Sequence, residues 1–208
     1  MNAVFCLIGP PGSGKGTYSA RLIRDLAANW SINHTSVGDE LRALQKTLKS
    51  GNLSSIEDVE LVIDQCISQG YRNDILDGYP RSLEQMELIG RKLKAGQIKS
   101  LYLVNLKVDN PGILIHRLTN RRVCSGCGQS SIDHDICESC KLPMLQRNDD
   151  QHMYVIRNRI NIYYDSYESI YKFCKDNEIP FVEFDTAQGL EIVYPKIRNY
   201  FVEKMLKH

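Results

Sequence analysis

Short apolar runs alternate in this chain with longer stretches in which apolar residues return every third or fourth position. Ala3, Val4, Phe5, Cys6, Leu7 and Ile8 form an unbroken run that stops at Gly9, which predicts a parallel strand covered on both faces. Residues 15–28 carry Leu22, Ile23 and Leu26 at helical spacing. Residues 33–36 read as a strand and 40–49 as a short helix stopped by Gly51. Ser55 and Asp58 make a capping box for a helix over 56–69, closed by Gly70. A brief strand at 75–77 precedes a helix capped by Ser82 and Gln85, which reaches residue 95 and ends at Gly96. Residues 101–106 are again a strand, and Pro111 suits the first turn of a helix reaching Arg121. Residues 151–176 read as one long helix, 181–184 as a last strand and 190–206 as a last helix. Strands alternating with helices predict an α/β fold with a parallel sheet. The cysteine-rich residues 124–140 break the alternation and predict a small module standing off the core.

At 208 residues and 42% hydrophobic content the chain can bury one compact core. A formal net charge of +1 argues against a dedicated DNA or RNA binder. The N-terminus lacks a basic region, its apolar run ends in Gly9-Pro10-Pro11, and no apolar run approaches ~20 residues. Neither a signal peptide nor a membrane span is expected, and the expected location is cytoplasmic. Cys6, Cys66 and Cys174 are isolated packing residues. Cys124, Cys127, Cys137 and Cys140 form two CxxC pairs, which in a reducing compartment point to a metal.

Between the first strand and the first helix stands Gly9-Pro10-Pro11-Gly12-Ser13-Gly14-Lys15-Gly16-Thr17. Glycines at 12, 14 and 16 let backbone N–H groups turn inward around a phosphate, and the helix N-terminus points its dipole there. Lys15 can reach β- and γ-phosphates, and Thr17 can ligand Mg²⁺. The strict Walker A pattern has Ser or Thr directly after the Lys, where this chain has Gly16. The loop implies a nucleotide or phosphate; alone it does not separate a kinase from a GTPase or a motor ATPase.

Further motifs follow: Gly38-Asp39-Glu40-Leu41-Arg42, Asp77-Gly78-Tyr79-Pro80-Arg81 with Gln85, Arg117 with Arg121-Arg122, Arg147-Asn148-Asp149-Asp150, and Arg157-Asn158-Arg159. In this order, over nearly the whole chain, they resemble the adenylate kinases, nucleoside monophosphate kinases. The resemblance implies a three-layer P-loop fold. A CORE with a five-stranded parallel sheet would span 1–35, 66–121 and 152–208, with an NMP-binding segment at 36–65 and a LID at 122–151. It implies Mg²⁺-dependent, reversible transfer of the ATP γ-phosphoryl group to AMP, giving two ADP. It implies contact with ATP from Gly12, Ser13, Gly14, Lys15, Gly16, Thr17, Arg117 and Gln188. Contact with AMP is implied for Val37, Arg42, Asn52, Leu53, Ser54, Gly78, Arg81, Gln85, Arg147 and Arg159. Lys15, Arg81, Arg121, Arg147 and Arg159 would surround the transferring group, and Thr17, Asp39 and Asp77 would serve Mg²⁺, partly through water. A cis Tyr79-Pro80 bond is implied too. Phosphoryl transfer asks for positioning and charge stabilisation, and guanidinium groups grip phosphate oxygens in pairs. From spacing alone, Arg117 and Arg121 share a predicted helix face, and Asp39 equally suits the N-cap of the 40–49 helix.

Two CxxC knuckles offer tetrahedral Zn²⁺ a closed structural site, with iron the next candidate and a disulfide pair last. His134, between the knuckles, reads as a turn residue because four sulfurs already saturate the metal. The module is too small for its own core, so metal would supply its folding energy.

Some features depart from the family. Between Arg42 and Gly51 the chain is short by roughly two to three helical turns, which reduces the NMP segment. Val37 stands where adenylate kinases usually have Thr and UMP/CMP kinases a small apolar residue, whereas Gln85 matches the Gln that reads adenine. AMP is the expected acceptor, with UMP or CMP the alternative. The interval from Arg147 to Arg159 is one residue longer than usual; unbroken helix would rotate the second Arg by about 100°, and Arg157 would then take its place. From a different class, the cysteines could form a zinc ribbon binding nucleic acid or protein beside an inactive P-loop. Weak basicity and few nearby aromatics count against it. A monomer without nucleic-acid or membrane partners is expected.

Overall fold

The computed structural model describes residues 3–48, 55–68 and 73–207. In chain order they form β1 (Ala3–Ile8), α1 (Lys15–Leu26), β2 (Ile32–Ser36), α2 (Val37–Leu48), α3 (Ile56–Ser68), β3 (Asn73–Asp77) and α4 (Leu83–Lys94). There follow β4 (Ser100–Lys107), α5 (Pro111–Asn120), the short strands β5 (Arg122–Cys124), β6 (Ser130–Ser131) and β7 (Met144–Gln146), then α6 (Met153–Asp176), β8 (Phe181–Asp185) and α7 (Leu190–Met205). Five strands pair in parallel in the order β2-β3-β1-β4-β8.

The unbroken apolar run of β1 has a direct cause. Val4, Cys6 and Ile8 enter the core that also holds Ile63 of α3, Met86 of α4 and Ile170 of α6. Ala3, Phe5 and Leu7 enter the opposite core with Leu22 of α1 and Ile197 of α7. The sheet is therefore the middle of three layers. Phe5 stacks 4.3 Å from Phe201 and 5.0 Å from Tyr102, centroid to centroid; truncating so buried an aromatic costs about 3–5 kcal/mol. The chain runs from the central β1 to the edge strand β2, returns to β3 between the two, then crosses to β4 on the other side of β1. A crevice opens at the carboxyl ends of the strands where this direction reverses.

Every strand and helix expected for the core is present, and the differences lie at ends. Ser55 and Asp58 cap α3 reciprocally, at 3.1 and 3.2 Å. α2 begins at Val37, not at residue 40. Asp39 therefore sits in its first turn and is not its N-cap; its carboxylate accepts from Ser36 Oγ at 2.5 Å and pairs with Arg42. α5 stops at Asn120, and Arg121 is extended (φ −64°, ψ 131°). The shared helix face expected for Arg117 and Arg121 does not exist, because the chain turns away between them. The module at 122–146 carries a three-stranded antiparallel sheet, β6-β5-β7, whose strands of two or three residues are too short for any periodicity. Cys6, Cys66 and Cys174 are buried packing residues as expected, at 0, 4 and 0% exposure. The Tyr79-Pro80 bond is cis. Gly51, Asn52, Leu53, Ser54 and Gly70 lie outside the described residues. Among the described residues no helix is long and apolar enough to cross a membrane.

One buried carboxylate works against stability. Asp74 on β3 is 1% exposed, Asn33 Nδ2 donates to its Oδ1 at 3.2 Å, and its Oδ2 has no partner. Burial, only partly offset by Asn33, pushes its pKa up to about 6. Unfolded chains release this proton near pH 4, so the folded state loses stability as pH rises from there to 6, and the loss is complete above. Between pH 4.5 and 7.5 we expect the stability of Asp74→Asn to improve relative to the parent by about 2 kcal/mol, read from urea denaturation at both pH values. A difference that does not change with pH would show that Asp74 is already ionised in a compensated site.

Candidate active site

The loop after β1 owes its shape to glycines, though not quite to the three singled out from sequence. Gly12 and Gly14 adopt φ of 84° and 89°, whereas Gly16 is helical and matters because it lies beside Asp77: a Cβ there would sit 3.7 Å from Asp77 Oδ2. The most demanding position is Gly9, at φ 147°, where a Cβ would lie 2.5 Å from Leu106 O and 2.8 Å from Ser13 Oγ. Lys15 opens α1 and folds back over the loop, its Nζ donating to Gly9 O at 2.7 Å and Pro10 O at 3.0 Å. Ser13 Oγ is buried inside the loop with no hydrogen-bond partner.

Asp77 ends β3 facing this loop. Its Oδ2 accepts from Ser19 Oγ at 3.4 Å and lies 3.4 Å from His34 Nε2. Thr17, exposed on the first turn of α1, makes no polar contact among the described residues. Thr17 and Asp77 thus offer oxygens beside the loop, the donor type that Mg²⁺ requires. Asp39 is instead turned toward Ser36 and Arg42.

Arg81 follows β3 on the acceptor side. Its Nε donates to Gly78 O at 2.7 Å, and its backbone N–H donates to Gln85 Oε1 at 2.8 Å. Gln85 therefore fixes the backbone at Arg81, and its Nε2 makes no hydrogen bond among the described residues. Gly38 makes room here: a Cβ would lie 2.6 Å from Arg81 Nη2 and 3.5 Å from Arg42 Nη1. Val37, one residue earlier, is 2% exposed and packs in the core, so it presents no wall to the crevice.

On the far side the decisive residue is Asp150, quoted in a motif but given no role from sequence. Its side chain is fully buried and grips two arginines. Arg121 Nε donates to Oδ2 at 2.8 Å, and Arg159 Nη1 donates to Oδ1 at 2.9 Å. Arg121 Nη2 lies 2.6 Å from Oδ2 but lacks hydrogen-bond geometry, leaving its N–H groups unfilled. Between Arg147 and Arg159 the chain is not helical throughout: a 3₁₀ turn at Asn148–Asp150 and the non-helical Gln151 and His152 precede α6. Arg159 turns inward to Asp150, and Arg157 is exposed, with no side-chain polar partner among the described residues. Arg147 pairs loosely with Asp149 at 3.7 Å. Arg117 bridges the loop to the turn after β8, donating to Gly12 O at 3.3 Å and Thr186 O at 2.9 Å. Gln188, in that turn, donates to Asp185 Oδ2 at 3.3 Å.

These groups feel one another. Burial, then the charges of Arg81, Arg121 and Arg159, lower the pKa of Lys15 to about 8 against the pull of Asp77. Arg121 is lowered by burial and by Arg147 and Arg159, with Asp150 opposing. Arg81 is lowered by loss of water and by Arg42 and Arg159, with Asp77 and Asp39 opposing. The crevice holds an excess of positive charge with unfilled donors, suited to polyphosphate.

In the module between Arg121 and Arg147, Cys124, Cys127, Cys137 and Cys140 bring their sulfurs within 4.8 Å of one another, and none is in a disulfide. Backbone N–H groups of Gly126 and Cys140 donate to Cys124 Sγ at 3.4 Å and Cys137 Sγ at 3.5 Å. Four convergent thiols with such knuckle bonds fit a tetrahedral metal.

Residues 7–179 match the family model described as adenylate kinase. The chain is 32% identical to the adenylate kinase of Finegoldia magna, over 97% of this chain and 98% of that protein. It is 30% identical to that of Haloarcula marismortui, over 95% and 96% of the two chains, and 31% identical to that of Fervidobacterium nodosum, over 96% of each. A phosphate loop faced by clustered arginines, in a chain matched nearly end to end by these proteins, belongs to the adenylate kinase family.

Proposed function

We propose that the chain transfers the γ-phosphoryl group of ATP·Mg²⁺ to AMP, giving two ADP, and runs the reaction in both directions. The observation that carries this is the convergence on one crevice of Lys15 from the phosphate loop, Arg81 from the acceptor side, and Arg121 and Arg159 on Asp150. Loop N–H groups and Lys15 hold the ATP phosphates. Arg117 and Gln188 flank the donor base, and Arg42 and Arg81 hold the acceptor phosphate. Arg121, Arg147 and Arg159 surround the group in transit, where their charges favour the transition state more than either ground state. Thr17 and Asp77 would hold magnesium, partly through water, and the ion would supply charge neutralisation for the ATP phosphates.

The moving parts follow from burial. α3 is fastened to the CORE by Val59 and Ile63 and by Lys92 of α4, whose Nζ donates to Glu60 at 3.2 Å and Asp64 at 2.5 Å. The NMP segment at 36–65 then closes mainly through α2. The LID at 122–151 closes over ATP as one unit around zinc, which has a structural role and no part in the transfer. A pyrimidine monophosphate remains the second reading, favoured by one observation: Gln85 already uses Oε1 on Arg81, leaving its Nε2 amide group to read the base.

Lys15→Met should fold normally and lose about 10²–10³-fold in kcat. In the parent, ATP binding demands a charged Lys15, which free protein loses as pH rises through about 8. The KM for ATP should therefore climb above pH 8, and this climb should be absent in Lys15→Met. Near-parental turnover by the variant would exclude the assignment of the loop.

Elemental analysis should find about one zinc per chain, and Cys137→Ser with Cys140→Ser should abolish it. A metal-free parent, or an unchanged metal content in the double variant, contradicts the site.

The acceptor is decided by kcat/KM for AMP, CMP, UMP and GMP under one set of conditions. AMP should lead, with narrower discrimination than the ~10⁴-fold available to a site that satisfies both faces of the base. A lead for CMP or UMP would refute AMP as the acceptor. Inactivity with all four would leave only the ATP half of the reading.

A further inference from the structure

Gln129 ties the two cysteine knuckles together. Its carbonyl oxygen accepts from the backbone N–H of Cys124 at 2.8 Å, which fastens it to the first knuckle. Its side chain reaches the second knuckle, where Oε1 accepts from Cys137 Sγ at 3.6 Å and from Ser139 Oγ at 3.2 Å. This arrangement belongs to the thiol form of Cys137. A cysteine that ligates a metal is a thiolate, with no proton to give. An amide oxygen facing that thiolate would set lone pair against lone pair.

The chemistry of the amide offers a way out. A half-turn of the carboxamide exchanges Oε1 and Nε2 without moving the rest of the chain. The two N–H groups of Nε2 then face Cys137 Sγ and Ser139 Oγ, and the Ser139 hydroxyl accepts where it had donated. Both contacts survive with their direction reversed. Cys137 would then receive this bond besides the one from the backbone N–H of Cys140, at 3.5 Å.

We propose that Gln129 donates a hydrogen bond to the Cys137 thiolate in the metal-loaded protein and thereby sets how tightly the LID holds its metal. The inference rests on the zinc reading above and extends it to a residue outside the four ligands. Partners that hold ligands in place typically govern metal affinity by about 10–100-fold. Gln129 is a positioning residue in this sense and touches neither nucleotide.

The test uses the full chain loaded with zinc or with Co²⁺, compared with Gln129→Leu and Gln129→Glu. Zinc transfer to a competing chromogenic chelator reports affinity, and the sulfur-to-cobalt charge-transfer band reports electron density on the thiolates. Loss of an N–H···S bond makes the thiolate more electron-rich, so the band should move to lower energy. Both variants should hold zinc about tenfold or more weakly and show the shifted band, because Glu keeps the size of Gln but cannot donate. Parental affinity and band position in Gln129→Glu would overturn the proposal, since Gln129 would then be a spacer. Unchanged values in both variants would overturn it too. A parent that binds neither metal would bring down the zinc reading itself, and this inference with it, which sets that failure apart from the others.

Discussion

A crevice lined by Lys15, Arg42, Arg81, Arg121, Arg147 and Arg159 must keep like charges together before any phosphate arrives to neutralise them. Two unit charges 5 Å apart repel by about 3 kcal/mol at an effective dielectric of about 20. Asp150 is the main counterweight. Its fully buried carboxylate takes Arg121 with one oxygen and Arg159 with the other, and both guanidinium groups keep donors free. Burying such a cluster does little for stability, because desolvation consumes most of the Coulombic gain. What it secures is position: two arginines from separate elements, one after α5 and one on α6, are fixed relative to each other.

The same incompleteness recurs at the phosphate loop. Lys15 lies on the carbonyls of Gly9 and Pro10, and Ser13 Oγ is buried without a partner. Carbonyls are weaker partners for an ammonium than phosphate oxygens, and burial together with the charges of Arg81, Arg121 and Arg159 lowers the pKa of Lys15 despite Asp77. The binding energy still unspent in the free protein is what polyphosphate completes, and most fully when charge is spread over the transferring group.

The core was legible because it is regular. The run from Ala3 to Ile8 must be buried on both faces, and periodicity with capping residues fixes the helices around it. The site was legible where a motif imposes its own backbone, as in the loop and at Arg81. It was illegible where the answer depends on a turn. Whether Arg121 continues α5 is decided by its extended ψ and by Asp150, 29 residues away. Whether Arg157 or Arg159 faces inward depends on where α6 begins after the 3₁₀ turn at Asn148–Asp150. Gly9, Gly38 and Asp150 all stood inside or beside quoted motifs; what revealed their work was the distance to a neighbour remote in sequence.

The LID poses the opposite problem to the CORE. Its buried cluster amounts to Cys124, Cys137 and Met144, with Cys140 partly buried, while Ile136 and Leu145 remain 61 and 60% exposed. So little apolar burial cannot offset the entropy of ordering the module, at about 1–2 kcal/mol per residue for the backbone alone. A metal held by the four cysteines would supply on the order of 10 kcal/mol, which is the scale required. The arrangement also suits motion. With a metal held by its four cysteines, the module between Arg121 and Arg147 would keep its shape if it moved. Under the proposed function, closure of this module would exclude water from the crevice.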